Sequence, residues 1–281
     1  VEHIDFNMMY RWFVGLTLDE AVWDHSSFSA NRERLLKESV MREFFTGVVA
    51  IGQWAELVSD EHFSVDGSLL RAWASHKSLA ARDGSDEPPG PDQGRNAEVD
   101  FRGQKRSNAT HVSRTDPEAL LASKGGAGAY LSFTTHALAE NRHGLIVDVH
   151  TTQATGTAER EAALVMVKRT VKPADATRQP TLAADRGYDT ADFIAALGPL
   201  GVLPHVAAKT KGSAVPSEIK VTEAYAVSLR RRKMIEEAFG WAKDIGTLRR
   251  LMARGLETIR AHALLNFAAY NLTRLGNLLA S

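Results

Sequence analysis

The chain has 281 residues, 34 Lys+Arg balanced by 34 Asp+Glu, 44% hydrophobic residues and no cysteine. That length suits one large domain, or a catalytic core with a small extra domain, and the apolar fraction is enough for a real core. The missing cysteines exclude disulfides and thiolate zinc sites and fit the cytosol. No apolar run reaches bilayer-spanning length, so no membrane partner is expected, and zero net charge means that a polyanion partner has to be sought in local charge.

Taken in chain order, residues 1–60 read as a helical N-terminal region. VEHIDFNMMYRWFVGL mixes charges into its apolar residues, unlike a secretory signal. Met8, Met9 and the aromatics of MMYRWF are expected to be helix core. Glu33 to Phe45 and Thr46 to Val58 carry apolar residues at helical spacing, with Ser29 or Asn31 as the expected N-cap. HFSVDGSLLRAW (62–73) shortens the period to that of a strand running into a turn or helix. From Ser75 the composition turns to Pro, Gly, Asp and Asn, so residues from about 76 to 127 read as a polar insertion or a loop ordered on binding, outside the core.

Regular patterning resumes at Tyr130. AYLSFTTHALAE and LIVDVHTT flank Asn141-Arg142-His143-Gly144, a hairpin signature. A helix is predicted over Glu159 to Thr170, a short strand over Pro180 to Asp185, and a helix over Thr190 to Leu197 capped by Asp189 or Thr190. Gly201 to Ala208 reads as another strand. Val227 to about Leu251 reads as one long helix, and Leu256 to Leu279 as a second, apolar almost all round and therefore buried. Alternation of this kind indicates an α/β fold with a mixed sheet flanked by helices.

Three acids fall where such a fold presents side chains: Asp66 ending the strand-like FSVD, Asp185 ending LAAD, and Glu236 in the basic helix. Singly, each has a plainer reading: a turn dipeptide for Asp66-Gly67, a strand-end acid for Asp185, and a surface pair with Arg232 for Glu236. Helical geometry puts Arg232, Glu236, Gly240 and Lys243 on one stripe, beside an apolar stripe of Ile235, Ala238, Ala242 and Ile245. Glu236 then borders the buried side with a cation above and below it, while Glu237 is a surface residue. Gly240 would let a backbone approach closely. Three carboxylates without cysteine suit a hard divalent ion, Mg²⁺ or Mn²⁺. A pair of such ions can activate a water or a 3′-hydroxyl and stabilise a leaving phosphodiester oxygen.

At these residues the sequence resembles bacterial insertion-sequence transposases of the DDE type, in the insertion-sequence-five-like group. That family has an RNase H-like core and a helix signature, Y-x2-R-x3-E-x6-K, matched here by Arg232, Glu236 and Lys243 with Leu229 at the tyrosine position. FSVDGSLLRAWAS carries the first acid, Asp66, and LAADRGYDT the second, Asp185. YRWFVGLTLDEAVWDHSSFSANRERL, GRNAEVDFRGQKRSNATH and HALAENRHGLIVDV resemble the family's N-terminal region, insertion and hairpin. The resemblance implies an RNase H-like catalytic domain over 61–281 and a transposase that binds double-stranded DNA at element ends and target. It also implies that the active form is a homodimer, acting in the cytoplasm at the nucleoid. The chain opens inside the family's N-terminal region, so the helices usual upstream are expected to be missing. Only residues 186–235 separate Asp185 from Glu236, too few for the large insertion domain some DDE transposases carry there.

Between 228 and 254 the chain carries Arg230, Arg231, Arg232, Lys233, Lys243, Arg249, Arg250 and Arg254 against Glu236, Glu237 and Asp244. These cations are candidate DNA contacts, joined by Lys209 and Lys211 and by Arg102, Lys105 and Arg106, and phosphate contacts of this kind carry no base sequence. His136, His143 and His150 could ligate zinc, but strand and turn packing is the better reading. Trp73 or Trp241 could stack on a flipped base, with packing again the plainer reading. An RNase H-like nuclease without strand transfer, and an inactive DNA-binding remnant, remain as alternatives.

Overall fold

The computed structural model describes residues 1–84, 106–123, 128–172, 179–249 and 251–280. Four helices come first: α1 (Glu2–Phe6), α2 (Met8–Phe13), α3 (His25–Leu35) and α4 (Glu38–Trp54). Strand β1 (His62–Arg71) is followed by the short strands β2 (Leu79–Ala81), β3 (His111–Ser113) and β4 (Leu120–Ala122), then by the hairpin β5 (Tyr130–Glu140) and β6 (Ile146–Gln153). Helix α5 (Ala158–Thr170), β7 (Thr181–Ala184), α6 (Ala191–Leu197) and β8 (Leu203–Val206) follow. The chain closes with α7 (Ser217–Lys220), α8 (Glu223–Arg231), α9 (Lys233–Asp244) and α10 (Leu256–Leu279).

The main sheet runs β6-β5-β1-β7-β8, with β5 antiparallel to β1 and β6, and with β7 and β8 parallel to β1. Three antiparallel strands followed by two parallel ones, flanked by helices, is the mixed RNase H-like α/β arrangement expected from the sequence. Side-chain alternation along β1 divides the core. Phe63 and Val65 join a cluster with α5 and α6, whereas Leu70 joins one with α4, α9 and α10. Strand β5 has neighbours on both edges and is buried from Leu131 to Glu140.

Side chains close the outer edge of β6. Asn271 of α10 accepts from the Ile146 N–H at 2.9 Å and donates to its carbonyl at 2.7 Å. Arg42 donates to the Val149 carbonyl, and Arg260 to that of Thr151, each at 2.9 Å. Buried Asp148 of β6 pairs with Arg42 of α4 at 3.0 Å and Arg169 of α5 at 2.7 Å, tying helices from both sides of the sheet to one strand. At the hairpin, the buried Glu140 carboxylate accepts the N–H groups of Arg142, His143 and Leu145 at 2.8, 2.8 and 3.0 Å, which fixes the turn.

Several boundaries differ from the sequence reading. Asp24, not Ser29 or Asn31, caps α3, accepting the N–H groups of Ser26 and Ser27. Thr190 caps α6. Asp66-Gly67 lies inside one continuous strand rather than at a turn. The predicted 227–251 helix is two helices. The break is at Arg232, where bonding changes from the i−4 carbonyl of Ser228 to the i−3 contact of Ile235 with Arg232 itself. The second helix stops at Asp244 because Gly246 packs against Asn266, and a Cβ there would lie 2.5 Å from the Ala242 carbonyl oxygen. The polar stretch 76–127 contributes more order than its composition implies: β2 pairs with β3, β4 joins β5, and Leu79 and Ala119 are buried in the core. Met8, Met9 and Trp12 are not core. They are 69, 78 and 81% exposed, because α1 and α2 are too short to present a packed face. Among the described residues no helix is long and apolar enough to cross a membrane.

His205 of β8 is buried with Nδ1 2.7 Å from Ser228 Oγ, and burial, with a smaller push from His62, holds its pKa down at about 4. A folded-state pKa below the unfolded value gives stability that is complete above about pH 6.5 and is lost as pH falls toward 4, about 3 kcal/mol in full. Urea unfolding at pH 7.5 and 4.5 should show a smaller loss on acidification for His205→Asn than for the wild type. Equal losses would refute the assignment.

Candidate active site

Asp66 sits mid-strand in β1, opposite Ala137 of β5. On the other side β1 pairs with β7 in the register Phe63↔Leu182 and Ser64↔Ala183. Asp66 and Asp185 are each two residues further on and share that strand parity, Asp66 within β1 and Asp185 as the first residue past β7. The β1–β7 ladder ends at Ser64, so Asp66 lies past the paired stretch, near the carboxyl end of β7, the usual place for a ligand in such sheets. Each carboxylate is steadied by local backbone: Asp66 Oδ1 accepts the Gly67 N–H, and Asp185 Oδ1 that of Gly187, both at 2.8 Å.

The third acid comes from α9. Arg232, at the helix break, places one guanidinium nitrogen 3.8 Å from Asp66 Oδ2 and another 3.3 Å from Glu236 Oε1. A planar fork suits this bridging role, which a lysine point charge would not fill. Lys243 donates to Ser68 Oγ at 2.5 Å, so the Arg232–Glu236–Lys243 stripe runs along the Asp66–Ser68 stretch of β1. Ile235, Ala238 and Ala242 are buried as the stripe predicts, but Ile245 lies past the helix end and is exposed. Among the described residues outside its own helix turn, nothing lies within 4 Å of where a Cβ on Gly240 would be. Glu237 turns away to Arg274 at 3.4 Å. Among the described residues no three His, Asp or Glu side chains are already gathered as a metal cage. The acids are splayed, with Arg232 between two of them.

Arg230, Arg231, Lys233, Arg249, Arg254, Lys209 and Lys211 are exposed. Arg231 lines a cavity of about 400 Å³ with His62, Asn141 and Glu223 at the start of β1, away from the acids. Arg249 is paired with Asp244. Arg102, Lys105 and Arg250 lie outside the described residues. Buried Asp189 accepts the N–H groups of Lys209 and Ala214 at 2.7 and 2.8 Å, pinning the Lys209–Lys211 loop beside the Asp185 strand end. Burial raises its pKa, but these hydrogen bonds and one from Ser213 outweigh that and leave it lowered. His136 and His150 face each other across β5 and β6, while His143 is held in the turn with Nδ1 2.7 Å from the Leu57 carbonyl oxygen. The three histidines therefore do not share a site. Trp241 packs edge-on against Tyr270, and Trp73 is 37% exposed. Tyr225, out of register for the signature tyrosine, donates to the Val206 carbonyl at 2.9 Å and braces β8.

Sequence reading missed Gly67 and the groups around it. A Cβ at Gly67 would lie 2.9 Å from His136 Nδ1 and 3.2 Å from Glu159 Oε1. The glycine after the acid was the only local signal, and a turn explains a glycine equally well. Gly67→Ala should destabilise the protein by about 1–3 kcal/mol, the usual result of overpacking. Denaturant unfolding checks this, and an unchanged midpoint would mean that the crowding is absent.

Residues 108–272, more than half of the chain, match the family described as a transposase DDE domain. Residues 1–34 match a second family, described as a transposase domain. Asp185 and Glu236 lie inside the first match, and Asp66 between the two. No curated protein and no solved structure matches the chain. A match of that extent places the chain in the transposase DDE-domain family, enzymes that act on DNA.

Proposed function

We propose that the protein is an insertion-sequence transposase of the insertion-sequence-five-like group. It cleaves DNA at element ends and joins the 3′-hydroxyls to target DNA, with Asp66, Asp185 and Glu236 as its catalytic carboxylates. The observation that carries this reading is the Arg232 guanidinium lying between Asp66 and Glu236, with Asp185 just past the end of β7, the strand parallel to β1. A cation already stands where two of the acids converge, and an all-oxygen donor set suits Mg²⁺ or Mn²⁺. The three acids would hold the divalent metal that transposases of this family generally use, in this reading two ions. When bound, the metal supplies nucleophile activation and charge neutralisation at the leaving oxygen. The chain's own residues do the rest. Arg232 and Lys243 bind the reacting phosphate, and Arg232 exchanges its carboxylate contacts for phosphate oxygens, a bidentate match. Arg230, Arg231, Lys233, Arg249 and Arg250 hold the flanking backbone.

In the same reading, residues 1–60 form the accessory helical region, residues 61–281 the catalytic domain, and two copies work together at the nucleoid. A nuclease that cuts without joining, and an inactive DNA-binding remnant, are the readings to be eliminated.

With end-containing DNA and Mg²⁺, Asp66→Asn and Glu236→Gln should each lower cleavage by more than about 100-fold, above the range for loss of an outer-shell partner. Both should leave the DNA gel shift intact, and Glu237→Gln should do little. Wild-type cleavage by Glu236→Gln would sink the assignment. Cleavage without joined product would leave the nuclease, and binding without Mg²⁺-dependent cleavage would leave the remnant. Replacing Arg230, Arg231 and Lys233 by Ala should flatten the dependence of log K on log salt by roughly 3, about 0.9 per phosphate contact. An unchanged slope would remove this face from the interface.

A further inference from the structure

A fourth carboxylate lies against β1 from the α5 side of the sheet. Glu159 lies in the first turn of α5, with Oε1 3.2 Å from where a Cβ on Gly67 would be. The same Gly67 gives its N–H to Asp66 at 2.8 Å, so both carboxylates abut one residue. Arg160, next in the chain, donates to the Gly187 carbonyl at 3.4 Å and fastens this turn of α5 to the loop that starts at Asp185. A groove of about 650 Å³, lined by Leu69, Thr134 and Gly156, reaches Glu159 and gives it access to solvent.

A second observation comes from Tyr188 in that loop. Its side chain is fully buried, edge-on to Phe193, and among the described residues its hydroxyl has no hydrogen-bond partner. Burial pushes the phenol well above its usual range, and the charges of Glu159, Asp66 and Asp185 push it further. A buried hydroxyl within electrostatic reach of three carboxylates, and without a hydrogen-bond partner among the described residues, is a donor awaiting an acceptor.

Charge balance points the same way. Two divalent ions carry four positive charges, and Asp66, Asp185 and Glu236 supply three negative ones. Such ions also take about six oxygen ligands each. We propose that Glu159 is a fourth carboxylate of the divalent-metal site, reaching it from α5 as Glu236 does from α9, with the Tyr188 hydroxyl donating to the carboxylates once they close in. This rests on the reading of Asp66, Asp185 and Glu236 as the metal-binding acids. A first-turn glutamate also favours the helix dipole, but Glu161 shares that role and lines a separate groove with Thr190 and Phe193, so it serves as the control.

The test is calorimetric titration of the full chain with MnCl₂, without DNA, alongside thermal unfolding of each variant. Glu159→Gln should lower Mn²⁺ affinity at least tenfold, or reduce the stoichiometry from two ions to one, while Glu161→Gln stays within about twofold of wild type. Wild-type Mn²⁺ binding by Glu159→Gln, with binding lost in Asp66→Asn, would overturn this inference alone. Wild-type binding by Asp66→Asn would overturn the reading beneath it. Should Glu159→Gln fail to fold, Fe²⁺-directed hydroxyl-radical cleavage of the unaltered protein decides. Cuts near 66, 185 and 158–160 support the proposal, and cuts near 66 and 185 without any at 158–160 refute it.

Discussion

A carboxylate in the middle of a central strand is costly unless charge or hydrogen bonds compensate it, and the surroundings of Asp66 supply both. The next residue is a glycine whose N–H turns to the carboxylate. The neighbouring strand stops pairing just before it, and the side chain keeps 17% of its surface exposed rather than lying in a dry interior. The long C-terminal helical segment breaks at the residue whose guanidinium must reach Asp66, and the new helix then carries Glu236 and Lys243 along the same stretch of strand. Strand ending, glycine and helix break are thus three local solutions to one electrostatic demand.

The core gains rigidity from a second set of charges remote from the candidate site. Asp148 joins α4 and α5 to β6, and Arg260 of α10 pairs with Glu38 at the start of α4 at 3.3 Å. Helix α4 buries Met41, Phe45, Val48 and Gly52, a stripe at helical spacing, against the α10 side of the core. The preceding helices are held more locally. Arg11 is buried and donates to the carbonyls of Thr17, Leu18 and Glu20, so one guanidinium organises the turn after α2.

Where structure follows from local periodicity, it was legible in the sequence. The β5–β6 hairpin, α5, α6, α10 and the short strands β7 and β8 all lie close to where patterning puts them. What was not legible depends on contacts distant in sequence. The end of α9 is set by Asn266 packing on Gly246. The order within 76–127 comes from pairing with β5 and from Leu79 reaching a core built elsewhere. The exposure of MMYRWF reflects helices too short to reach a partner, whereas apolar composition alone suggests burial. At the candidate site the three acids were visible through motif spacing, and Arg232 and Lys243 through helical geometry. Glu159 and Tyr188 were not. Only the crossover from β6 through α5 to β7 sets the first turn of α5 against Gly67, and no window of sequence contains that arrangement.

The side chains that close β6 have a consequence for assembly. Asn271, Arg42 and Arg260 occupy main-chain groups that an incoming strand would need. At the other end of the sheet, β8 carries Pro204, which has no N–H to offer a further ladder. The outer edges of β6 and β8 are therefore poor templates for edge-to-edge growth: an approaching strand would have to displace bonded side chains at the one and do without a donor at the other.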